Sequence, residues 1–169
     1  MEQNDYLRFS EDGKTLIRCL KDYVRAVVIP DGVTKINFDA FSRCYSLVSI
    51  KIPNSVTEIG IWAFQYCTSL TSIEIPNGVI KIFFGAFAGC TSLTSIKFPD
   101  SVTEIENAVF DGCTSLRDIY LEQTTPLVFS EHTFDGLDKT KVTMHVPKGS
   151  GEAYRNSEYY SGFMNIIEE

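Results

Sequence analysis

Apolar and polar residues repeat with a constant interval of 23 positions along most of the chain. The repeat is visible in five separate columns, which hold proline, leucine, isoleucine, phenylalanine and cysteine. Their members are Pro30, Pro53, Pro76 and Pro99; Leu47, Leu70, Leu93 and Leu116; Ile36, Ile59, Ile82 and Ile105; Phe41, Phe64, Phe87 and Phe110; and Cys44, Cys67, Cys90 and Cys113. Because five columns align without an insertion, the pattern predicts a stack of similar coils rather than a globular core.

One unit of the repeat predicts a strand, an arc and a turn. Ile73 and Ile75 alternate with Ser72 and Glu74, which indicates a short strand with one buried face. Pro76 ends that strand, because proline cannot donate a ladder hydrogen bond. Two apolar residues three apart then predict a tight arc, and the Ala-Phe-x-x-Cys segment predicts one helical turn that presses its aromatic ring inward. Six parallel strands are expected in one sheet, and they start near Val24, Leu47, Leu70, Leu93, Leu116 and Val142.

Both ends of the chain depart from the repeat, as terminal caps do. Tyr6 to Ile17 predicts a hairpin around Asp12 and Gly13, since an Asp-Gly pair between apolar runs is a strong turn signal. A closing segment is expected over the last coil, with Ala153, Tyr154, Tyr160, Phe163 and Ile166 facing it. We therefore divide one domain into a cap (1–23), the repeats (24–122), and a last coil with its cap (123–169).

Charge and hydropathy exclude some partners. The 169 residues carry a net charge of −7, which disfavours binding to nucleic acid because phosphates are also negative. Apolar runs stay below the roughly 20 residues of a membrane span. Met1 to Asp5 is acidic and polar, unlike a signal peptide. Either the protein stays inside the cell or an export segment lies upstream.

The cysteine column predicts buried thiols rather than a metal site or disulfides. Equivalent positions on stacked coils are ~4.8 Å apart, so four cysteines span about 14 Å, whereas zinc binds sulfur at ~2.3 Å. Parallel side chains also point the same way, which is poor disulfide geometry. Cys19 lies outside the column. His132 and His145 have no nucleophile or metal ligand beside them in the sequence, so we expect no metal, no cofactor and no catalysis.

The repeat resembles a known bacterial family. Val56 to Pro76 reads Val-Thr-Glu-Ile-x-x-x-Ala-Phe-x-x-Cys-Thr-Ser-Leu-x-x-Ile-x-Ile-Pro, which is similar to the BspA-like leucine-rich repeats. The resemblance implies an α/β repeat solenoid, a right-handed leucine-rich-repeat coil with hairpin and irregular caps. It also implies a cell-surface or secreted protein, with adhesion and host-protein binding implied for some members. The family has no catalytic motif.

Two sets of residues are candidates for binding a partner. The first is the variable column on the outer face of the strands, where solenoids commonly bind: Lys51, Glu74, Lys97 and Tyr120. The second is an excess of apolar residues after the arc, which either form an exposed patch or pack between coils: Phe38, Ile61, Trp62, Phe83 and Phe84.

The leading functional hypothesis is a binding module for a protein, with a surface glycan as a second ligand class. The alternative is a structural scaffold that spaces other domains and has no ligand of its own. An enzyme is a distant third hypothesis, because a flat solenoid rarely supplies a pocket of converging polar groups.

Overall fold

The computed structural model describes residues 5–130 and 132–169. Each coil of the chain has three sides, which we name the strand side, the arc side and the turn side. The strand side consists of β3 (Ala26–Val28), β5 (Ser49–Lys51), β7 (Ser72–Glu74), β9 (Ser95–Phe98), β11 (Asp118–Leu121), β12 (Thr143–Val146) and β13 (Asn165–Glu168). The arc side consists of β4 (Lys35–Ile36), β6 (Glu58–Ile59), β8 (Lys81–Ile82) and β10 (Glu104–Ile105).

The strand side confirms the six predicted strand positions and adds a seventh, β13. The strands are parallel, and their register keeps the repeat: Ile73 pairs with Ile96, and Ile96 pairs with Ile119. Five strands, from β7 to β13, form one sheet, while β3 and β5 form a separate pair. The predicted repeat solenoid is therefore confirmed, with its strand side divided between β5 and β7.

The arc side is a second parallel sheet rather than a simple bend. Its strands are two residues long, and each pairs with the equivalent residues of the next coil. The predicted hairpin is also confirmed, as β1 (Leu7–Phe9) and β2 (Thr15–Cys19) pair antiparallel. Because β2 continues in parallel with β4, the hairpin covers the first edge of the arc sheet.

The turn side differs from the predicted helical turn. Successive tight turns replace it, as in the hydrogen bond from the Cys67 N–H to the Phe64 carbonyl at 3.1 Å. Trp62 and Tyr66 have φ angles of 52° and 57°, and such left-handed residues cannot belong to a right-handed helix. The Phe64 N–H instead donates to the Ala86 carbonyl of the next coil at 2.8 Å, so the turn side has its own ladder between coils.

Phenylalanine rings form a continuous stack through the core. The rings of successive coils are nearly parallel, within 12° of each other, and their centroids are 5.1–6.0 Å apart. The predicted inward position of this aromatic column is confirmed. The stack consists of Phe41, Phe64, Phe87, Phe110 and Phe134, all of them buried.

The predicted column of buried thiols is also confirmed, since all five cysteines are free and buried. The thiols do more than fill space. Cys67 donates to the Phe41 carbonyl and Cys90 to the Phe64 carbonyl, both at 3.1 Å. Burial raises the pKa of Cys67 to about 12, so this thiol stays protonated and remains a donor.

The chain closes with a small irregular cap. It contains α1 (Gly151–Asn156) and two 3-10 helices, Lys139–Lys141 and Glu158–Tyr160. Tyr154 is buried as predicted, and its hydroxyl donates to the Gln123 carbonyl at 2.7 Å. Ala153 is exposed, contrary to the prediction, because its position on α1 faces away from the last coil.

Two sequence-based predictions concern membranes and export. Within the described residues, no helix is both long and apolar enough to cross a membrane. The prediction about a signal peptide rests mostly on residues 1–4, which lie outside the described part of the chain.

Candidate functional site

The predicted binding column lies along the outer face of the strand side. Parallel pairing places Glu74 beside Lys97, Lys97 beside Tyr120, and Tyr120 beside His145. An open groove of about 640 Å³ runs over these strands. Its polar and aromatic lining consists of Ser72, Glu74, Ser95, Lys97, Tyr120, Glu122, His145 and Glu169.

His145 is the most tightly held side chain of this groove. Its ring stacks on Tyr120 with centroids 4.1 Å apart. Its Nε2 lies 2.9 Å from Asp118 Oδ1, and its Nδ1 lies 2.7 Å from Glu169 Oε1. A neutral imidazole has one N–H, so both contacts are hydrogen bonds when the ring is an imidazolium. Burial alone lowers the pKa of His145, but the two carboxylates outweigh it and the pKa is raised.

Two other charged residues of the groove, Lys97 and Glu74, differ in whether they form an ion pair within the protein. Lys97 Nζ lies 2.8 Å from Glu122 Oε1, and this hydrogen bond raises the pKa of Lys97. Glu74 forms no ion pair with any residue in the described part of the chain. Its charge nevertheless contributes to the raised pKa of Lys97, so Glu74 acts on Lys97 at longer range without a direct ion pair.

Three of the four residues of the predicted outer-face column, Glu74, Lys97 and Tyr120, line this groove. Lys51 lies outside it and lines a smaller hollow of about 330 Å³, which shares Glu74. The sequence analysis missed His145, Glu122 and Glu169. A signal existed for the first two: Glu122 occupies the proline column, and His145 lies two residues before the next proline match, Pro147, just as Tyr120 lies two residues before Glu122.

The apolar residues after the arc form an exposed row, which we name the aromatic corner: Phe38, Ile61, Trp62 and Phe84. Phe38, Ile61 and Phe84 are 52%, 37% and 40% exposed. The Trp62 ring lies between the two phenylalanine rings, with centroids 5.6 Å from Phe38 and 6.2 Å from Phe84. Each of the three side chains therefore keeps part of its apolar surface exposed, while the rings also contact one another across adjacent coils.

Phe83 lies apart from the aromatic corner, on the outer face of the arc side. The ammonium of Lys81 is 4.6 Å from its ring centroid, and that of Lys35 is 5.9 Å away. Gly60 occupies the same column one coil earlier. Phe83, which the sequence analysis placed among the candidate binding residues, therefore has lysine ammonium groups over its ring.

Trp62 adopts an unusual backbone conformation. The same column is left-handed in neighbouring coils, where it holds Asp39, Gly85 and Ala108. A non-glycine residue there costs roughly 1–2 kcal/mol. A Cβ atom at Gly85 would lie 2.6 Å from the indole Cδ1 of Trp62, so the indole rests directly on the next coil.

Ion pairs beside the aromatic corner are satisfied within the protein. Lys35 pairs with Glu58 at 2.9 Å, and Lys81 pairs with Glu104 at 3.0 Å and with Glu106 at 3.2 Å. Among the described residues, no group of three or more His, Cys, Asp or Glu side chains is arranged to hold a metal ion.

The coil, its parallel sides and its stacked phenylalanines define a leucine-rich-repeat solenoid. The chain belongs to the BspA type leucine-rich repeat family, whose model matches residues 20–141 in six copies. No curated protein matches the chain.

Solved structures with a similar fold come from several bacteria. A leucine-rich cell surface protein from Faecalibacterium prausnitzii is 31% identical over 69% of this chain, with a TM-score of 0.56. A leucine-rich repeat protein from Bacteroides capillosus is 28% identical over 73% of this chain and 98% of its own, with a TM-score of 0.60. The pneumococcal vaccine antigen PcpA is 20% identical over 95% of this chain and 40% of its own, with a TM-score of 0.78, and it supports the fold alone. The chain spans 38% of the Faecalibacterium protein.

Proposed function

We propose that this protein is a binding module that holds a polypeptide partner at the aromatic corner. The observation that carries the proposal is the row of exposed apolar side chains around Trp62. Contiguous apolar surface with a polar rim is typical of interaction sites. Aromatic residues, tryptophan above all, dominate the binding energy of protein interfaces.

The backbone of Trp62 supports the same proposal. Aspartate and glycine occupy its column in adjacent coils, and both tolerate a left-handed conformation better than tryptophan does. A residue held at a conformational cost is a reason to look for a role outside folding. Since the ion pairs beside the corner are internal, we expect recognition there to depend on apolar contact rather than on charge.

We further propose that the module acts on a bacterial cell surface or after secretion, in adhesion. The support is the family and the Faecalibacterium neighbour, which is described as a cell surface protein. That neighbour extends well beyond the part that this chain covers, so the proposal concerns the repeat module and not a whole protein.

The test is a binding assay against a panel of purified extracellular host proteins. Trp62→Ala and Phe84→Ala should each weaken binding of a panel protein by at least tenfold, because central interface aromatics contribute about 2 kcal/mol or more. Tyr159→Ala is a matched control, since Tyr159 is a similarly exposed aromatic residue in the closing segment.

Two results would contradict the proposal. Equal binding by wild type, Trp62→Ala and Phe84→Ala would place the interface elsewhere. If the wild-type protein binds no panel member, the scaffold hypothesis, in which the solenoid spaces other domains, becomes the better explanation.

A further inference from the structure

The strand-side groove is a second surface, separate from the aromatic corner. We propose that it binds an extended polypeptide segment with an arginine or lysine side chain. In this arrangement the basic side chain lies against the open face of Tyr120, and its charge pairs with Glu74. The proposal uses no residue of the aromatic corner, so the two surfaces can be tested independently.

The balance of charge favours a cationic ligand. Two cations belong to the groove, Lys97 and His145, and each already contacts a carboxylate. They face four carboxylates, those of Glu74, Asp118, Glu122 and Glu169. An acidic ligand would have to displace internal ion pairs against this excess and against a net charge of −7. A basic side chain instead adds a direct ion pair to Glu74, which within the described residues acts on Lys97 only at longer range.

Tyr120 offers an aromatic face to that side chain. His145 covers one face of the ring at 4.1 Å. The other face is turned to the neighbouring strand, where the Lys97 ammonium is held by Glu122. Within the described residues, no ring or cation is stacked there. A guanidinium is planar and weakly hydrated, so it stacks on tyrosine better than other cations do.

The dimensions of the groove suit a short extended peptide. The groove crosses β7, β9, β11 and β12, and strands ~4.8 Å apart make this about 14 Å. An extended chain advances ~3.4 Å per residue, so four or five residues span it. Ser72 and Ser95 lie in the groove beside the longer side chains, and their small size lets a peptide backbone approach the sheet.

Peptide titration with NMR detection tests the proposal. The probes are the acetylated, amidated peptide Gly-Ser-Arg-Ser-Gly and the same peptide with citrulline, which has the shape of arginine without its charge. The arginine peptide should shift the backbone amide signals of Ser95, Lys97 and Tyr120 in the ¹⁵N-labelled full chain. The citrulline peptide should bind at least threefold more weakly.

Two variants locate the contact. Glu74→Gln and Tyr120→Leu should each lower the affinity for the arginine peptide about two- to fivefold, as expected for one partly exposed charge pair or cation–π contact. Glu152→Gln, which removes one negative charge from the exposed face of α1, should leave the affinity unchanged, and so should Trp62→Ala.

Several results would overturn the proposal. They are equal binding of the arginine and citrulline peptides, an equal loss in Glu152→Gln, and signal shifts confined to residues outside the groove. A neutral xylohexaose that shifts the groove amides when the arginine peptide does not would assign the groove to a glycan instead. Because Trp62→Ala leaves the groove intact, failure here and failure of the proposed corner interface remain distinguishable.

Discussion

Replacing His145 with glutamine should destabilise the protein at acidic pH and have little effect at alkaline pH. In the wild type, the imidazolium donates to Asp118 at 2.9 Å and to Glu169 at 2.7 Å, so it joins β11, β12 and the residue after β13. Glutamine keeps a polar side chain of similar reach but has no positive charge at any pH.

The size of the effect follows from the exposure of the partners. A hydrogen bond to a charged group contributes about 1.5–3 kcal/mol when well shielded. The side chains of Asp118 and Glu169 are 39% and 57% exposed, and screening reduces each contact to about 0.5–1 kcal/mol. Together they stabilise the fold by about 1–2 kcal/mol, or about 2–8 °C in Tm for a chain of this size.

The sign of the pH dependence follows from the raised pKa of His145. Because the folded-state pKa lies above the ordinary value of 6.5, the stabilisation is complete below pH 6.5. It is lost as the pH rises through the folded-state pKa.

Urea unfolding of wild type and His145→Gln, followed by circular dichroism at pH 5.5 and 8.5, measures the difference directly. The free-energy gap should be about 1–2 kcal/mol at pH 5.5 and close to zero at pH 8.5. A gap of the same size at both pH values would refute the reasoning, because it would assign the stabilisation to ring packing on Tyr120. The double variant Asp118→Asn, Glu169→Gln is the control. It keeps the ring but should lose the stabilisation at pH 5.5, because without the carboxylates burial alone lowers the pKa of His145.

The core makes two further predictions. A hydrogen bond from the Cys44 thiol lowers the pKa of the Cys19 thiol, so Cys19 should react first with Ellman's reagent, while Cys67 should react only on unfolding because burial raises its pKa to about 12. A fast phase that survives Cys19→Ser would contradict this. Phe87→Ala should cost about 3–5 kcal/mol in urea unfolding, since Phe87 is fully buried between two stacked rings. The exposed Phe38→Ala is the comparison, and equal losses in the two variants would contradict the stacked core.

The coil could be predicted from the sequence because the signals for its elements lie within a few residues and recur every 23 positions. Period-two alternation around Ile73 predicted the strands, and the Asp12-Gly13 pair predicted the hairpin. The arc ladder was missed because each strand is two residues long, too short for any alternation to appear. The prediction of a helical turn was wrong because two columns of the turn side are left-handed. Gly85, Gly89 and Gly112 in these columns were a sequence signal for positive φ angles, whereas Trp62 and Tyr66 gave none.

The groove itself was not predicted, although three residues of its lining belong to the predicted outer-face column. Glu74, Lys97 and Tyr120 were found because they vary within a regular column. His145 was harder to place, because the repeat lengthens to 25 residues between Tyr120 and His145, and the contact with Glu169 depends on how the closing segment folds back. The exposure of Phe38 and Phe84 could not be decided from the sequence, since apolar residues at that position suit either a core or a surface.

The turn-side ladder, in which the N–H of Phe64 meets the carbonyl of Ala86, has a consequence for how such genes change length. One edge of each coil carries backbone N–H donors, and the other edge carries the carbonyl acceptors that match them. Because every coil has the same two edges, whole coils are interchangeable units. Duplication or deletion of 23 codons should therefore preserve the pairing between coils and extend or shorten the stack of rings by one. Insertion of one codon in a strand would instead turn every later side chain of that strand to the opposite face.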